Sequence, residues 1–219
     1  MCIIAVCKRT MTKAEFDNCW DNNDDGFGMA WLEKSEGEFI TCVDKGYMTQ
    51  RSAFSGYMEN VEKAKISPHV CHFRLASAGK KVGDLTHPFV ISPDAMVDGN
   101  DNDSYDYRTT LPVLFHNGHY TDWQNLLVNI SMEHGFPKGM ISDTKVLCTG
   151  LGIAEKKHGV GTYDKLLHYM SGKFVVVVNG NVFMYGEFYD SEDKKVMFSN
   201  LTFRSRKTNA MIYENGEWL

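Results

Sequence analysis

Apolar positions along the chain come in short runs broken by Gly, Asn and Asp, and their period changes from element to element. Residues 2–7 (CIIAVC) are an unbroken apolar run of strand length, which predicts a short buried strand at the start. Thr10 or Thr12 caps a helix in which Phe16, Cys19 and Trp20 share one face. Residues 22–26 (NNDDG) form a turn. FGMAWLE and EFITCVDKGY then read as strands joined at Gly37, so 27–47 is an antiparallel hairpin. Residues 49–64 return to helical period through Phe54, Tyr57, Met58 and Val61, and Pro68 opens a strand, HVCHFRLA.

The second half repeats the alternation. LPVLFHNG is a strand and turn, and a helix over 122–134 carries Trp123, Leu126, Leu127 and Ile130. Ser142 caps the next helix, which Gly159 and Gly161 end, and a short helix covers 163–170. KFVVVVNGNVFMYG is a hairpin whose Asn179-Gly180 pair supplies a type I′ turn. Residues 195–200 and 210–213 are further strands. Strands at both ends with helices between them predict an α+β fold of packed sheets and flanking helices.

Composition changes that picture at one place. Residues 94–110 (DAMVDGNDNDSYDYRTT) are acidic and nearly free of aliphatic side chains, and read as an exposed loop inserted into a single domain spanning 2–219. With 43% hydrophobic and 23% charged residues, 219 residues suffice for a full core without disulfides. A net charge of -5 and the lack of a Lys/Arg stripe argue against a nucleic-acid surface. No apolar run reaches the roughly 20 residues that span a bilayer, and the N-terminus lacks a secretory h-region, so a cytoplasmic location is expected. The six cysteines show no CxxC and read as thiols, most of them buried. On strands, the His69/His72 and His116/His119 spacings do not put two rings on one face, so no metal site is expected.

Cys2 carries the candidate chemistry. Removal of Met1, which a small second residue permits, would leave a thiol and a free α-amine on one residue. That amine has a reference pKa of about 7.7–8.0 and can act as the thiol's base. A retained Met1 would acylate the amine and remove the base.

Four further segments follow in order: His72-Phe73-Arg74-Leu75-Ala76-Ser77-Ala78-Gly79, then Thr86-His87-Pro88-Phe89, then Phe115-His116-Asn117-Gly118, then Ser142-Asp143-Thr144. Behind an N-terminal cysteine, these resemble the class II glutamine amidotransferases over about residues 2–200. Gly172-Lys173-Phe174 and Phe198-Ser199-Asn200 fit more loosely. Leu75, Ser77 and Ala78 depart from the family's usual aromatic, threonine and histidine. Singly, each segment has a plain structural reading: a turn at Asn117-Gly118, an ion pair at Arg74, a helix cap at Asp143. In this order they form a specific set.

The resemblance implies a four-layer αββα sandwich of the N-terminal-nucleophile hydrolase type, with Cys2 forming a γ-glutamyl thioester. It places Arg74 on the α-carboxylate of glutamine, where a planar fork matters, and Asp143 on the α-ammonium. Asn117 and the Gly118 N–H form the oxyanion hole. Ser77 and His87 belong to the substrate pocket, which His72 helps to shape, and no cofactor is required. Ammonia is expected to pass to a separate acceptor synthetase. Compact domains of this kind also occur in bacteriophages. Two other readings stand beside this one: an amidase acting on a γ-glutamyl or other small amide, and a non-catalytic binding subunit of the same fold.

Overall fold

A computed structural model describes residues 2–64, 68–76, 80–96, 105–137, 139–204, 213–214 and 217–218. The first half runs β1 (Ile3–Cys7), α1 (Lys13–Asn22), β2 (Phe27–Ser35), β3 (Glu38–Tyr47), α2 (Gln50–Ala64), β4 (His69–Phe73), β5 (Phe89–Val90) and β6 (Asp106–Thr109). The second runs β7 (Val113–Asn117), α3 (Trp123–His134), α4 (Asp143–His158), α5 (Thr162–Tyr169), β8 (Lys173–Val178), β9 (Asn181–Tyr185), β10 (Tyr189–Asp190) and β11 (Val196–Phe198). A small ribbon, β12 (Tyr213–Glu214) with β13 (Glu217–Trp218), follows. The fold is α+β.

Seven strands in the order β10-β11-β1-β4-β2-β3-β6 make the larger sheet, and β5-β7-β8-β9 the smaller. Every pairing in both is antiparallel. The unbroken apolar run of β1 is explained by its place, because both of its faces are buried. Ile3, Ala5 and Cys7 pack with Phe16, Cys19 and Trp20 of α1 and Ala53 and Tyr57 of α2. Ile4 and Val6 face the other way, in one cluster with Val113, Phe115, Val175 and Val177 of the smaller sheet. Alternate residues of that sheet, Leu114, Phe174 and Val176, pack with Leu147 and Leu151 of α4 and Leu167 of α5. Ile130 of α3 meets Val146 of α4.

Local chemistry sets the boundaries. Thr12 is the cap of α1 in a reciprocal box: its hydroxyl accepts from Glu15 N and the Glu15 carboxylate accepts from Thr12 N. Ser142 caps α4 by accepting from Lys145 N. Asn179 and Gly180, with φ of 48° and 78°, make the hairpin turn between β8 and β9.

The reading of 94–110 as one loop needs correction at its end. Asp106–Thr109 pairs with β3 along Thr41–Asp44 as an edge strand of the larger sheet. A ladder is made by backbone groups, so a polar edge strand with one wet face carries no apolar signature. Tyr105 leads into it, its carbonyl accepting from Lys45 N at 2.7 Å and its hydroxyl donating to Asp84. Residues 97–104 lie outside the described residues, as do 210–212 of the strand expected at 210–213. β4 stops at Phe73, short of the expected Ala76: the Arg74 N–H still meets the Gly26 carbonyl in register, but the Arg74 carbonyl accepts from Asp25 N, one residue out of register, and the ladder ends there. No helix among the described residues is long and apolar enough to cross a membrane.

Candidate active site

Sheet register brings distant segments to one small cavity. Cys2 precedes β1, and β1 pairs with β4 so that Ile3 lies opposite Phe73, one residue before Arg74. β7 ends in the smaller sheet at Asn117, and α4 begins at Asp143. Cys2, Arg74, His87, Gly118 and Asp143 all line the cavity, with Leu75, Ala76, His116 and Thr144 among its other walls. It holds about 30 Å³. That is room for water and not for a free amino acid. Larger hollows of about 530 and 570 Å³ lie elsewhere, beside Lys13–Met58 and around Ile91–Asn179, and contain no cysteine.

The Cys2 thiol is held against the backbone of Leu75. Its Sγ lies 3.5 Å from the Leu75 carbonyl and 3.4 Å from the Leu75 N–H. Burial raises its pKa, although the Leu75 N–H and the Arg74 charge pull the other way. The resting thiol is therefore protonated and needs a base. Its carbonyl accepts from the Asn200 amide at 2.7 Å, which fixes the backbone of residue 2.

Arg74 is buried, and its Nη1 donates to the Lys80 carbonyl at 3.0 Å. Its backbone is clamped between Asp25 N and Gly26 O. Asp25, also buried, accepts from Ala76 N at 2.8 Å and pairs with Lys81. Burial alone would raise the Asp25 pKa, but these two donors hold it below the usual carboxylate range. Sequence reasoning missed Asp25, which reads as part of a turn.

Asp143 accepts from Tyr120 N at 3.0 Å and lies 3.4 Å from His119 Nδ1. The Thr144 hydroxyl donates to the same carboxylate and sits 3.1 Å from His116 Nδ1. A hydroxyl proton given to Asp143 leaves Thr144 to accept from His116 Nδ1–H. The lone pair of His116 then sits on Nε2, which has no partner within the protein. Burial brings the His116 pKa down to about 4, so the ring is neutral near pH 7. The ring stacks on Phe174 at 4.6 Å. A Cβ at Gly118 would lie 2.6 Å from His116 Nε2, so only glycine fits beside this ring.

Asn117 is buried but is not part of the cavity wall. Its Nδ2 donates to Ser199 Oγ at 2.8 Å, and Ser199 Oγ also accepts from Ile4 N at 2.8 Å. Asn117 Oδ1 has no partner. Ser199 and Asn200 therefore tie the oxyanion candidate and residue 2 together through β11. Their only sequence signal was the loose fit of Phe198-Ser199-Asn200.

His87 reaches the cavity from the loop before β5 and has neither ring nitrogen bonded within the protein. Its ring lies 4.0 Å from that of His72, whose Nε2–H donates to the His116 carbonyl. Burial lowers the His87 pKa well below the usual range and that of His72 to about 3. The His87 loop is held by Lys45, buried beneath it, whose ammonium donates to the Thr86 and Pro88 carbonyls at 3.3 Å each. Gly28 permits the close approach: a Cβ there would lie 2.1 Å from the His87 carbonyl. Ser77 lies outside the described residues. Among the described residues, the close cluster of three His and Cys donors lies away from this cavity.

No family model matches the sequence, and no curated protein matches it. Among solved structures, the chain is similar to one described as the allosteric regulatory enzyme of purine biosynthesis, with 14% identity and a TM-score of 0.57. That enzyme is an amidophosphoribosyltransferase, a class II glutamine amidotransferase with the N-terminal-nucleophile hydrolase fold. Over the matched length the chain shares the fold of that enzyme. At this identity the likeness is one of fold. It covers 90% of this chain and 41% of the other, so this chain spans less than half of that enzyme's length.

Proposed function

We propose that this chain is a glutamine amidotransferase domain that hydrolyses glutamine to glutamate and ammonia, with Cys2 as nucleophile after loss of Met1. The observation that carries the proposal is the cavity itself, where Cys2, Arg74, Gly118 and Asp143 arrive from four separate segments. Helices α1 and α2 on one sheet, α4 and α5 on the other, and apolar side chains between the sheets support the four-layer αββα arrangement that such enzymes use.

In this reading Arg74 takes the α-carboxylate of glutamine and Asp143 its α-ammonium, which lays the side-chain amide toward Cys2. The α-amine of Cys2 removes the thiol proton, and the thiolate attacks the amide carbon. The oxyanion is stabilised by the Gly118 N–H and the Asn117 amide. Half a turn of the Asn117 amide lets Ser199 O–H donate to Oδ1 and releases Nδ2 from Ser199, while Ile4 N still donates to Ser199 Oγ. Collapse breaks the C–N bond, the α-ammonium returns its proton to the leaving nitrogen, and ammonia departs. Water then cleaves the thioester to glutamate and free thiol. No cofactor enters these steps. The small cavity requires its walls to open for glutamine to enter. Ammonia goes to a separate synthetase.

Purified chain beginning at Cys2, checked by intact mass, is expected to release glutamate from glutamine. Cys2→Ala should abolish the reaction without unfolding the protein. Arg74→Lys keeps the charge and loses the fork, and should raise KM at least tenfold, about 1.4 kcal/mol. An active Cys2→Ala variant would remove the nucleophile assignment. An unchanged KM in Arg74→Lys would favour an amidase whose substrate lacks a free amino-acid head.

A further inference from the structure

On the helix-facing side of the larger sheet, the register places Cys7 opposite His69 and Ala5 opposite Cys71. Cys7, His69 and Cys71 thus project from one face of two neighbouring strands, beneath α1 and α2. Their donor atoms, two sulfurs and a ring nitrogen, all lie within 4.8 Å of one another. We propose that Cys7, His69 and Cys71 bind a zinc ion that clamps β1 to β4.

Three arguments converge on it. Ligand atoms around tetrahedral zinc sit about 3.5–4 Å apart, so the three donors need only a small contraction. Two thiolates and a neutral imidazole balance the charge of Zn²⁺, and the neutral complex can sit in an apolar layer. His69 Nε2 is 3.1 Å from the Tyr57 hydroxyl, which itself accepts from Met11 N at 2.6 Å. An outer partner on the second ring nitrogen is the usual way a ligating histidine is oriented. A water molecule in the fourth position would complete the tetrahedron and leave the complex neutral. Both cysteines are free thiols.

Spacing along the chain hides such a site. His69 and His72 point to opposite faces, and the sulfur ligands come from residue i+2 and from across the strand pair. The site would be structural, since Cys7 and Cys71 are fully buried and the ion must enter as the chain folds. It ties together the two strands that lead to Cys2 and to Arg74, and it is independent of the glutaminase reading.

The test uses the full chain refolded under reducing conditions with excess zinc, then desalted. Elemental analysis should give about one equivalent of zinc per chain, and the melting temperature should rise by several degrees over metal-free protein. Refolding with Co²⁺ should produce a thiolate-to-cobalt charge-transfer band in the near ultraviolet on the unmutated protein, so the result does not depend on a variant folding. Cys7→Ser and Cys71→Ser should lose the band, whereas Cys42→Ser should keep it. Less than a tenth of an equivalent of zinc with no cobalt band would overturn the proposal. So would metal retained in both serine variants.

Discussion

At the scale of single residues, the question is what would make the Cys2 thiol the proposed nucleophile. Burial raises the Cys2 pKa, so the thiol is not self-activating, unlike thiols that a cationic partner lowers. That is why the proposal needs the α-amine. Ser199 is the residue whose role can be isolated most cleanly, because it touches Asn117 and Ile4 and does not line the cavity. Ser199→Ala should lower kcat about tenfold and leave KM within about twofold, since it unsettles the proposed oxyanion donor Asn117 and no proposed ground-state contact. Ser199→Thr, which keeps the hydroxyl, should recover most of the rate. A loss confined to KM would place Ser199 outside this role. Cys2, Arg74, Gly118 and Asp143, which meet at the cavity, were legible because the proposed chemistry calls for particular side chains in a particular order. Ser199, Asp25 and Lys45 were not, because their partners lie 82, 51 and 41 residues away and are set by packing alone.

At the scale of elements, strong apolar periods were readable and weak edges were not. β1, β2, β3, β7, β8 and helices α1 to α5 carry clear patterns or caps. β5 and β10 are two residues long, and β6 is a polar edge whose pairing depends on β3. The cap of α1 offers a stability test away from the cavity. Thr12→Ala removes one half of the box and should destabilise the fold by about 1 kcal/mol in urea titration, with kcat unchanged. The correction at β6 also limits how the acidic segment can be trimmed. Replacing residues 97–104 by a short Gly-Ser bridge spares Tyr105 and β6, and should leave thioester formation at Cys2 intact. A bridge that also removed 105–109 would strip β3 of its outer neighbour and leave it as the edge of the larger sheet.

At the scale of the whole molecule, three buried imidazoles, His72, His87 and His116, meet near the cavity between the two sheets. Burial holds His72 to about 3, His116 to about 4 and His87 well below the usual range. Their unfolded value is about 6.5. Below that pH the unfolded chain binds protons that the folded chain refuses, so the stability they protect is complete above about 6.5 and declines as pH falls toward 4. Three such groups allow a slope of up to about 4 kcal/mol per pH unit, before carboxylates contribute. The urea midpoint should drop steeply between pH 6.5 and 4.5, and His87→Asn should flatten the decline. A midpoint constant over that range would show that the imidazoles are solvated in the folded protein.

The central claim is that one cysteine of six is the nucleophile, and the most direct measurement is selective labelling by a glutamine-mimicking electrophile, read by peptide mass spectrometry on chain that begins at Cys2. Cys7, Cys19, Cys42, Cys71 and Cys148 are all buried, whereas Cys2 is only partly so and lines the cavity. The account predicts one label per chain, on Cys2, slowed in competition with glutamine and much reduced in Arg74→Lys. Labelling at another cysteine, or labelling of Cys2 that glutamine does not slow, would contradict it.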